Sequence, residues 1–149
     1  MAVLRDTPYG CFNFLVSFDG LDPESVQAGF SGVHGLDLSV EVLQYRAGND
    51  KSNAPRLVAG RRKPVTVTLT RGVIGDLTLY EWLDTSQHGS PDRRTVTIKL
   101  LSEDRGDTVQ LWKLVDAWPT ALEGPVLDAL GSSVAIERLV LVAETMSIE

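Results

Sequence analysis

The residues able to do chemistry in this chain are few and badly placed for it. Two histidines, His34 and His88, lie far apart beside turn glycines, and neither has a second His or a Cys at metal-ligand spacing. They are expected to be partly exposed loop residues. Cys11 precedes Phe12 at the start of an apolar alternation and is expected to be a small buried side chain instead of a nucleophile. The glycine-rich run Gly29-Phe30-Ser31-Gly32-Val33-His34-Gly35 lacks dinucleotide-fingerprint spacing, and no helix follows it to receive a phosphate. Close backbone packing in a bent strand explains those glycines better. Arg61-Arg62-Lys63 has no interleaved aromatics of the kind that single-strand nucleic-acid binders use, and Asp104 and Asp107 flank a hairpin turn where acids are routine. No catalytic residue, cofactor-binding residue or metal ligand is expected, so the chain is read as no enzyme and as needing no cofactor.

The bulk numbers agree with a non-catalytic globular domain. A chain of 149 residues supports one hydrophobic core, and 43% hydrophobic with 23% charged residues is an ordinary folded composition. No apolar run reaches the length of a membrane-spanning helix, so no membrane anchor is expected. The opening Ala2-Val3-Leu4-Arg5-Asp6 lacks the basic-then-apolar order of a signal peptide. A lone cysteine leaves no internal disulfide and suits a reducing cytoplasm.

Charge is segregated. The net charge is −6, which disfavours a stable nucleic-acid binder. Residues 1–75 carry eight Lys/Arg against seven Asp/Glu, whereas residues 76–149 carry six against thirteen. Within 46–63, Arg46, Lys51, Arg56, Arg61, Arg62 and Lys63 face only Asp50. A basic segment thus sits on an acidic body.

The elements that must hold these residues are mostly strands. Phe12, Phe14, Val16 and Phe18 alternate with polar or smaller residues, and Gly20-Leu21-Asp22-Pro23 closes that strand as a turn. Further extended segments are expected over 26–33 and 36–45, the second with Leu36, Leu38, Val40 and Val42 on one face. The polar stretch 47–55 reads as an exposed loop, and the structureless basic segment is expected to continue to about Lys63. Val65, Val67 and Leu69 alternate with Thr66, Thr68 and Thr70 in the clearest strand, ended by Arg71-Gly72.

One helix is expected, N-capped by Asp76, with Leu77, Tyr80 and either Leu83 or Trp82 on one side, running to about Ser86. Strands at 95–101 (Val96, Ile98 and Leu100 inward) and 108–118 flank the polar turn 103–107 as a hairpin, and Trp118-Pro119 should end the second. A last strand is expected at 134–143, although Ile136, Leu139 and Val140 also fit a helix. This pattern predicts a mainly β, single-domain, barrel-like fold over 1–149 with one short flanking helix. A site-free β domain must still protect its sheet edges, and pairing them with identical copies is one way to do so.

Six segments in order resemble the tail tube proteins of contractile phage tails, phage-tail-like bacteriocins and extracellular contractile injection systems. They are Pro8-Tyr9-Gly10-Cys11-Phe12-Asn13-Phe14-Leu15-Val16, Ala28-Gly29-Phe30-Ser31-Gly32-Val33-His34-Gly35-Leu36, Glu41-Val42-Leu43-Gln44-Tyr45-Arg46-Ala47-Gly48-Asn49, Val67-Thr68-Leu69-Thr70-Arg71-Gly72 with Leu79-Tyr80-Glu81-Trp82, Ala117-Trp118-Pro119, and Ala135-Ile136-Glu137. The chain departs from the family's Leu-Pro-Gly after the long loop, having Leu57-Val58-Ala59-Gly60.

The resemblance implies a structural inner-tube subunit in hexameric rings, stacked into a hollow tube that conducts DNA or protein cargo. Implied partners are further copies of the chain, a surrounding sheath protein, and baseplate and tube-cap proteins. Assembly in the bacterial cytoplasm is implied, with release outside the cell left open. A tube-initiating baseplate ring and a secreted ring-forming carrier of the type VI secretion kind remain alternatives. Arg46, Lys51, Arg56, Arg61 and Arg62 are expected at subunit contacts, and the polar faces near 36–45 and 64–70 are expected to line the channel.

Overall fold

A computed structural model describes residues 2–19 and 21–149, so the expected turn at Gly20 lies outside the described residues. The elements in chain order are β1 (Phe14–Phe18), a single 3-10 turn (Val26–Ala28), β2 (Phe30–His34), β3 (Val40–Tyr45), β4 (Arg56–Arg62), β5 (Val65–Gly72), α1 (Thr78–Gln87), β6 (Arg94–Leu101), β7 (Thr108–Glu123), β8 (Ile136–Ala143) and β9 (Thr145–Ile148). The mainly β class with one helix is as the alternation predicts.

A seven-stranded antiparallel sheet runs β1-β6-β7-β8-β5-β2, with β9 also on β7, while β3 and β4 pair only with each other. The sheet is bent, not closed into a barrel: its path ends at β1 and β2, and an open apolar groove of about 340 Å³ lies between them. The bend is made by β7. Its first part pairs with β6 and β9, and residues 118–123 pair with β8. Asp116 between them has φ 55°, and Glu144 N–H donates to Val115 O at 3.2 Å where β8 passes into β9. Two paired strands therefore turn at one level and carry the chain from one layer to the other. Pro119 does not end β7 as expected. It sits beside a register shift between Pro119 and Ala121, where the ladder tolerates a missing donor.

The core lies between the two layers. Val16 and Phe18 of β1, Val96 and Ile98 of β6, Leu114 of β7, Val65, Val67 and Leu69 of β5, and Leu139 and Leu141 of β8 are all buried. Each such side chain contributes roughly 1.5–3 kcal/mol on burial. In β6 a register shift at Leu100/Leu101 resets the alternation, so Leu101 is buried and Leu100 is half-buried, not inward as expected. The 26–33 segment is likewise a 3-10 turn followed by a shorter strand. Gly32 in β2 lies at a register shift, where a Cβ would meet Thr70 Oγ1 at 2.6 Å. Gly35 has φ 92°, with no room for a Cβ beside Thr66 O. The bent-strand reading of those glycines holds.

Helix α1 closes one end of the core with Leu79 and Trp82, whereas Leu77 and Tyr80 are exposed. Trp82 packs on Phe18 at 5.1 Å between ring centroids and donates from Nε1 to Asp92 O at 2.7 Å. Asp76 is not the cap; Leu77 holds that position without a side-chain bond. Asp76 accepts instead from Thr78 Oγ1 at 2.8 Å and from Arg71 Nη1 at 3.2 Å.

Arg71 is a buried cation, 2% exposed. Its Nε donates to Glu137 Oε1 at 2.7 Å, Nη1 to Gln27 O at 2.8 Å, and Nη2 to Asp76 O at 3.3 Å. Burial alone would raise the Asp76 carboxyl, but hydrogen bonds from Thr78 and Arg71 outweigh it and hold the group below its ordinary value. A depressed carboxyl stabilises the fold above its unfolded pKa, and that contribution is lost as pH falls through the folded value. Truncating Arg71 strands two carboxylates in the interior, so Arg71→Ala should cost about 3–5 kcal/mol in urea unfolding at neutral pH. A loss below about 1 kcal/mol would mean that the pocket simply rehydrates.

Candidate assembly surface

The basic segment is not a structureless loop to Lys63. Residues 56–62 form β4, which pairs with β3 from Tyr45↔Arg56 to Val40↔Arg62 and leaves only 46–55 as the tip. The resulting hairpin has both faces in water. Leu43, Tyr45, Arg56 and Val58 share one face, and Val40, Val42, Leu57, Ala59 and Arg62 share the other. Val42, Tyr45 and Leu57 are 61%, 62% and 68% exposed. An isolated two-stranded ribbon is marginal in water, so one with aliphatics on both faces is built to be covered. Sequence reasoning put Val40 and Val42 on one apolar face but not in water, and it missed Leu57 and Val58 because a strand exposed on both faces shows no single apolar stripe.

The five expected contact cations divide by role. Arg46 is exposed but turned onto its own tip, donating from Nε to Ser52 O at 2.9 Å and from Nη2 to Asp50 O at 3.0 Å. Asp50 also accepts from Ala47 N–H at 3.0 Å and lies 3.9 Å from Arg56. Lys51, Arg61 and Arg62 are exposed, and the Arg56 side chain is 75% exposed. The fold thus gathers all five on one projecting ribbon.

A second surface is formed by sheet edges. Among the described residues, β2 pairs only with β5, and residues 118–123 of β7 pair only with β8. These lie at opposite sides of one layer, β7-β8-β5-β2. The face of that layer turned from the core carries Thr66, Thr68 and Thr70 on β5 and Arg138, Val140 and Val142 on β8, with Trp118, Ala121 and Glu123 of β7 in register beside them and Thr120 exposed at the register shift. Val67 and Leu69 face the core, as expected for a polar outer face on this strand. The 36–45 segment does not join that face, because β3 belongs to the hairpin and Leu38 and Val40 are exposed.

An N-terminal arm covers the turn between β6 and β7. Val3 N–H donates to Val109 O at 2.9 Å, and Arg5 grips Glu103 with both terminal nitrogens, at 2.6 and 2.9 Å. Arg5 also stacks over the Tyr9 ring at 3.7 Å and donates to Thr7 O, while Gly10 N–H donates to the Glu103 carboxylate at 3.1 Å.

Chemically, the surface offers strand edges and charge. Cys11 is exposed, not buried. His34 ends β2 and is exposed, and His88 lies past the end of α1, 3.5 Å from Asp84. Among the described residues there is no cluster of metal-ligating side chains and no helix long and apolar enough to cross a membrane.

Residues 10–147 match the family described as T4-like virus tail tube protein gp19. No curated protein matches the chain. Solved structures do. A chain of the sheath-tube complex of PVC, an extracellular contractile injection system in its extended state, is 26% identical, with 95% of this chain and 91% of that chain covered and a TM-score of 0.81. A chain of the tube-terminating cap of the anti-feeding prophage is also 26% identical, covering 100% and 95%, with a TM-score of 0.82. A chain of the six-fold symmetrised baseplate of the anti-feeding prophage is 27% identical, covering 97% of each, with a TM-score of 0.78.

Glu103 gives this surface a pH response. The hydrogen bonds from Arg5, then that from Gly10 N–H, hold its carboxyl at about 2, below the ordinary 4.5. The latch is therefore complete above the ordinary value and fails as pH falls toward the held one. Protection of the Val3 and Gly10 amides, taken as exchange relative to the intrinsic rate at each pH, should hold down to about pH 4.5 and fall below it. Glu103→Gln should free the arm at neutral pH with the core amides still protected; an arm equally protected in that variant would rule out the latch.

Proposed function

The chain belongs to the T4-like virus tail tube protein gp19 family, and from that premise we propose that it is the repeating subunit of the inner tube of a contractile injection machine. Rings of six copies stack into a hollow tube inside a sheath, and the role is structural, without catalysis. The observation that carries this reading is the pair of free edges on one layer. Strand direction alternates through β7, β8, β5 and β2, so residues 118–123 run antiparallel to β2. A neighbour rotated about an axis along the strands brings its β2 beside residues 118–123 in the correct sense for an antiparallel ladder. Repeated around a ring, that pairing closes the β7-β8-β5-β2 layer on itself and leaves that layer no free edge.

The face with Thr66, Thr68, Thr70, Thr120 and Arg138, and with Val140 and Val142 beside the threonines, then lines the channel along which DNA or a protein cargo slides. The β3–β4 hairpin, with its exposed aliphatics and with Lys51, Arg56, Arg61 and Arg62, reaches carboxylates on another copy, and Arg46 shapes its tip. Each exposed ion pair is worth roughly 0.2–1 kcal/mol, but every copy in every ring repeats it. Sheath, cap and baseplate proteins are the further partners, in keeping with the assemblies that hold the similar chains. Assembly takes place in the bacterial cytoplasm. A tube-initiating ring at the baseplate is the second reading, favoured by the baseplate chain; copy number per particle separates them, because an initiator occurs in one ring only.

Purified chain at high concentration should form six-membered rings or tubes by negative-stain microscopy and native mass spectrometry; a strictly monomeric chain in intact particles would sink the reading. Reversing Lys51, Arg56 and Arg61 together to Glu should leave the thermal transition nearly unchanged while tube length or yield falls, more sharply at high salt. Normal tubes from that variant would make the hairpin cations mere solvated surface.

A further inference from the structure

The segment between β7 and β8, residues 124–135, places aliphatic side chains in water. Val126, Leu127, Leu130 and Val134 are 93%, 83%, 96% and 80% exposed. Such a concentration in one short segment, like that on the β3–β4 hairpin, marks an interaction surface. The segment is shaped by its own bonds: Gly131 N–H donates to Asp128 O at 3.0 Å, and Leu130 N–H donates to Asp128 Oδ1 at 3.0 Å. Its single charge, Asp128, stands between the two leucines.

The complementary feature lies at the opposite end of the same layer. An open groove of about 330 Å³ is walled by Leu38, Val40, Val65 and Met146, with Arg62 and Lys63 on its rim. Ser39, Glu144 and Thr145 complete the lining, and Glu144 is already paired with Arg93 at 2.6 Å. Among the described residues no carboxylate lies within ion-pair distance of Arg62 or Lys63. The β5–β8 ladder sets the spacing. Gly72 pairs with Ile136 at the knob end, and Val65 pairs with Ala143 at the groove end. That separation is about 24 Å at the usual strand rise. A knob and a groove so far apart cannot meet within one chain, but copies stacked along the strand direction bring them together.

We propose that the 124–135 knob of one copy seats in the groove between the hairpin base and β9 of a second copy in the next ring, with Asp128 facing Arg62 and Lys63. The contact is heterologous, so each ring offers knobs on one side and grooves on the other. Tube growth then has a built-in direction. The proposal rests on the tube reading above, and the test separates the two.

In a Cys11→Ser background, Leu130→Cys and Ser39→Cys are combined in one chain and the assembled material is oxidised. A ladder of disulfide-linked multimers on a non-reducing gel is expected, absent when either cysteine is introduced alone. Asp128→Lys should leave rings but abolish tubes, and adding Arg62→Glu with Lys63→Glu should restore them. Normal tubes without a ladder, or normal tubes from the Asp128→Lys variant, would overturn the knob-and-groove contact while the tube reading stands. Failure of the parent chain to form rings or tubes would instead remove the tube reading, and this contact with it.

Discussion

The structure depends most on one buried cation. Arg71 sits at the end of β5 with its guanidinium in the interior, where an unpaired charge is not tolerated. Its donors are met by Glu137 from β8, by Asp76 ahead of the helix and by Gln27 O from the 3-10 turn. Three parts of the chain distant in sequence, residues 71–76, Gln27 and Glu137, must therefore converge before that charge can be buried. The constraint specifies more than it stabilises, since an apolar cluster of equal volume is often as stable as a buried ion pair. What it fixes is the pole of the β5–β8 ladder from which the 124–135 segment emerges.

From that pole the rest follows by strand geometry. The register of β8 on β5 runs without a shift from Gly72↔Ile136 to Val65↔Ala143, so the second pole is set by the first. There the chain passes through Lys63 and Pro64 into β5, and the β3–β4 hairpin leaves the body. At the other side of β8, the turn in β7 at Asp116 releases residues 118–123 from β6 and leaves them with one partner. The free edges, the knob and the groove are thus products of the same ladder.

What was legible in the sequence follows from how each segment is solvated. The threonine alternation of β5 and the β6–β7 hairpin were read correctly because each strand has one wet face, which produces a period of two. β4 was missed because Arg56, Leu57, Val58, Arg61 and Arg62 belong to a ribbon wet on both faces, so no alternation separates inside from outside. The helix was placed but turned wrongly in part: Trp82 is buried, as one of the two options allowed, but Leu79 takes the inward place expected of Leu77 and Tyr80, and Asp76 was taken by Arg71. Pro119 misled because a proline ends most strands, and only the register shift beside it lets β7 continue. Of the candidate surface, the cluster of five cations was visible in composition. The engagement of Arg46 with its own loop and the aliphatics between the cations required coordinates.

The placement of charge on that ribbon also answers a problem that assembly creates. A hairpin with Val42, Leu43, Leu57 and Val58 in water is a template for indiscriminate strand pairing while a subunit waits for its ring. Arg56 beside Leu57, and Arg61 with Arg62 at the bulged end, place cations next to those aliphatics and penalise stacking of one basic ribbon on another. The penalty disappears when the opposing surface is acidic, as the composition of residues 76–149 makes available. In the tube proposed above, the same side chains oppose contact between two basic ribbons of free subunits and favour contact with an acidic surface of another copy. This explains why the most exposed apolar ribbon in the chain is also its most basic segment.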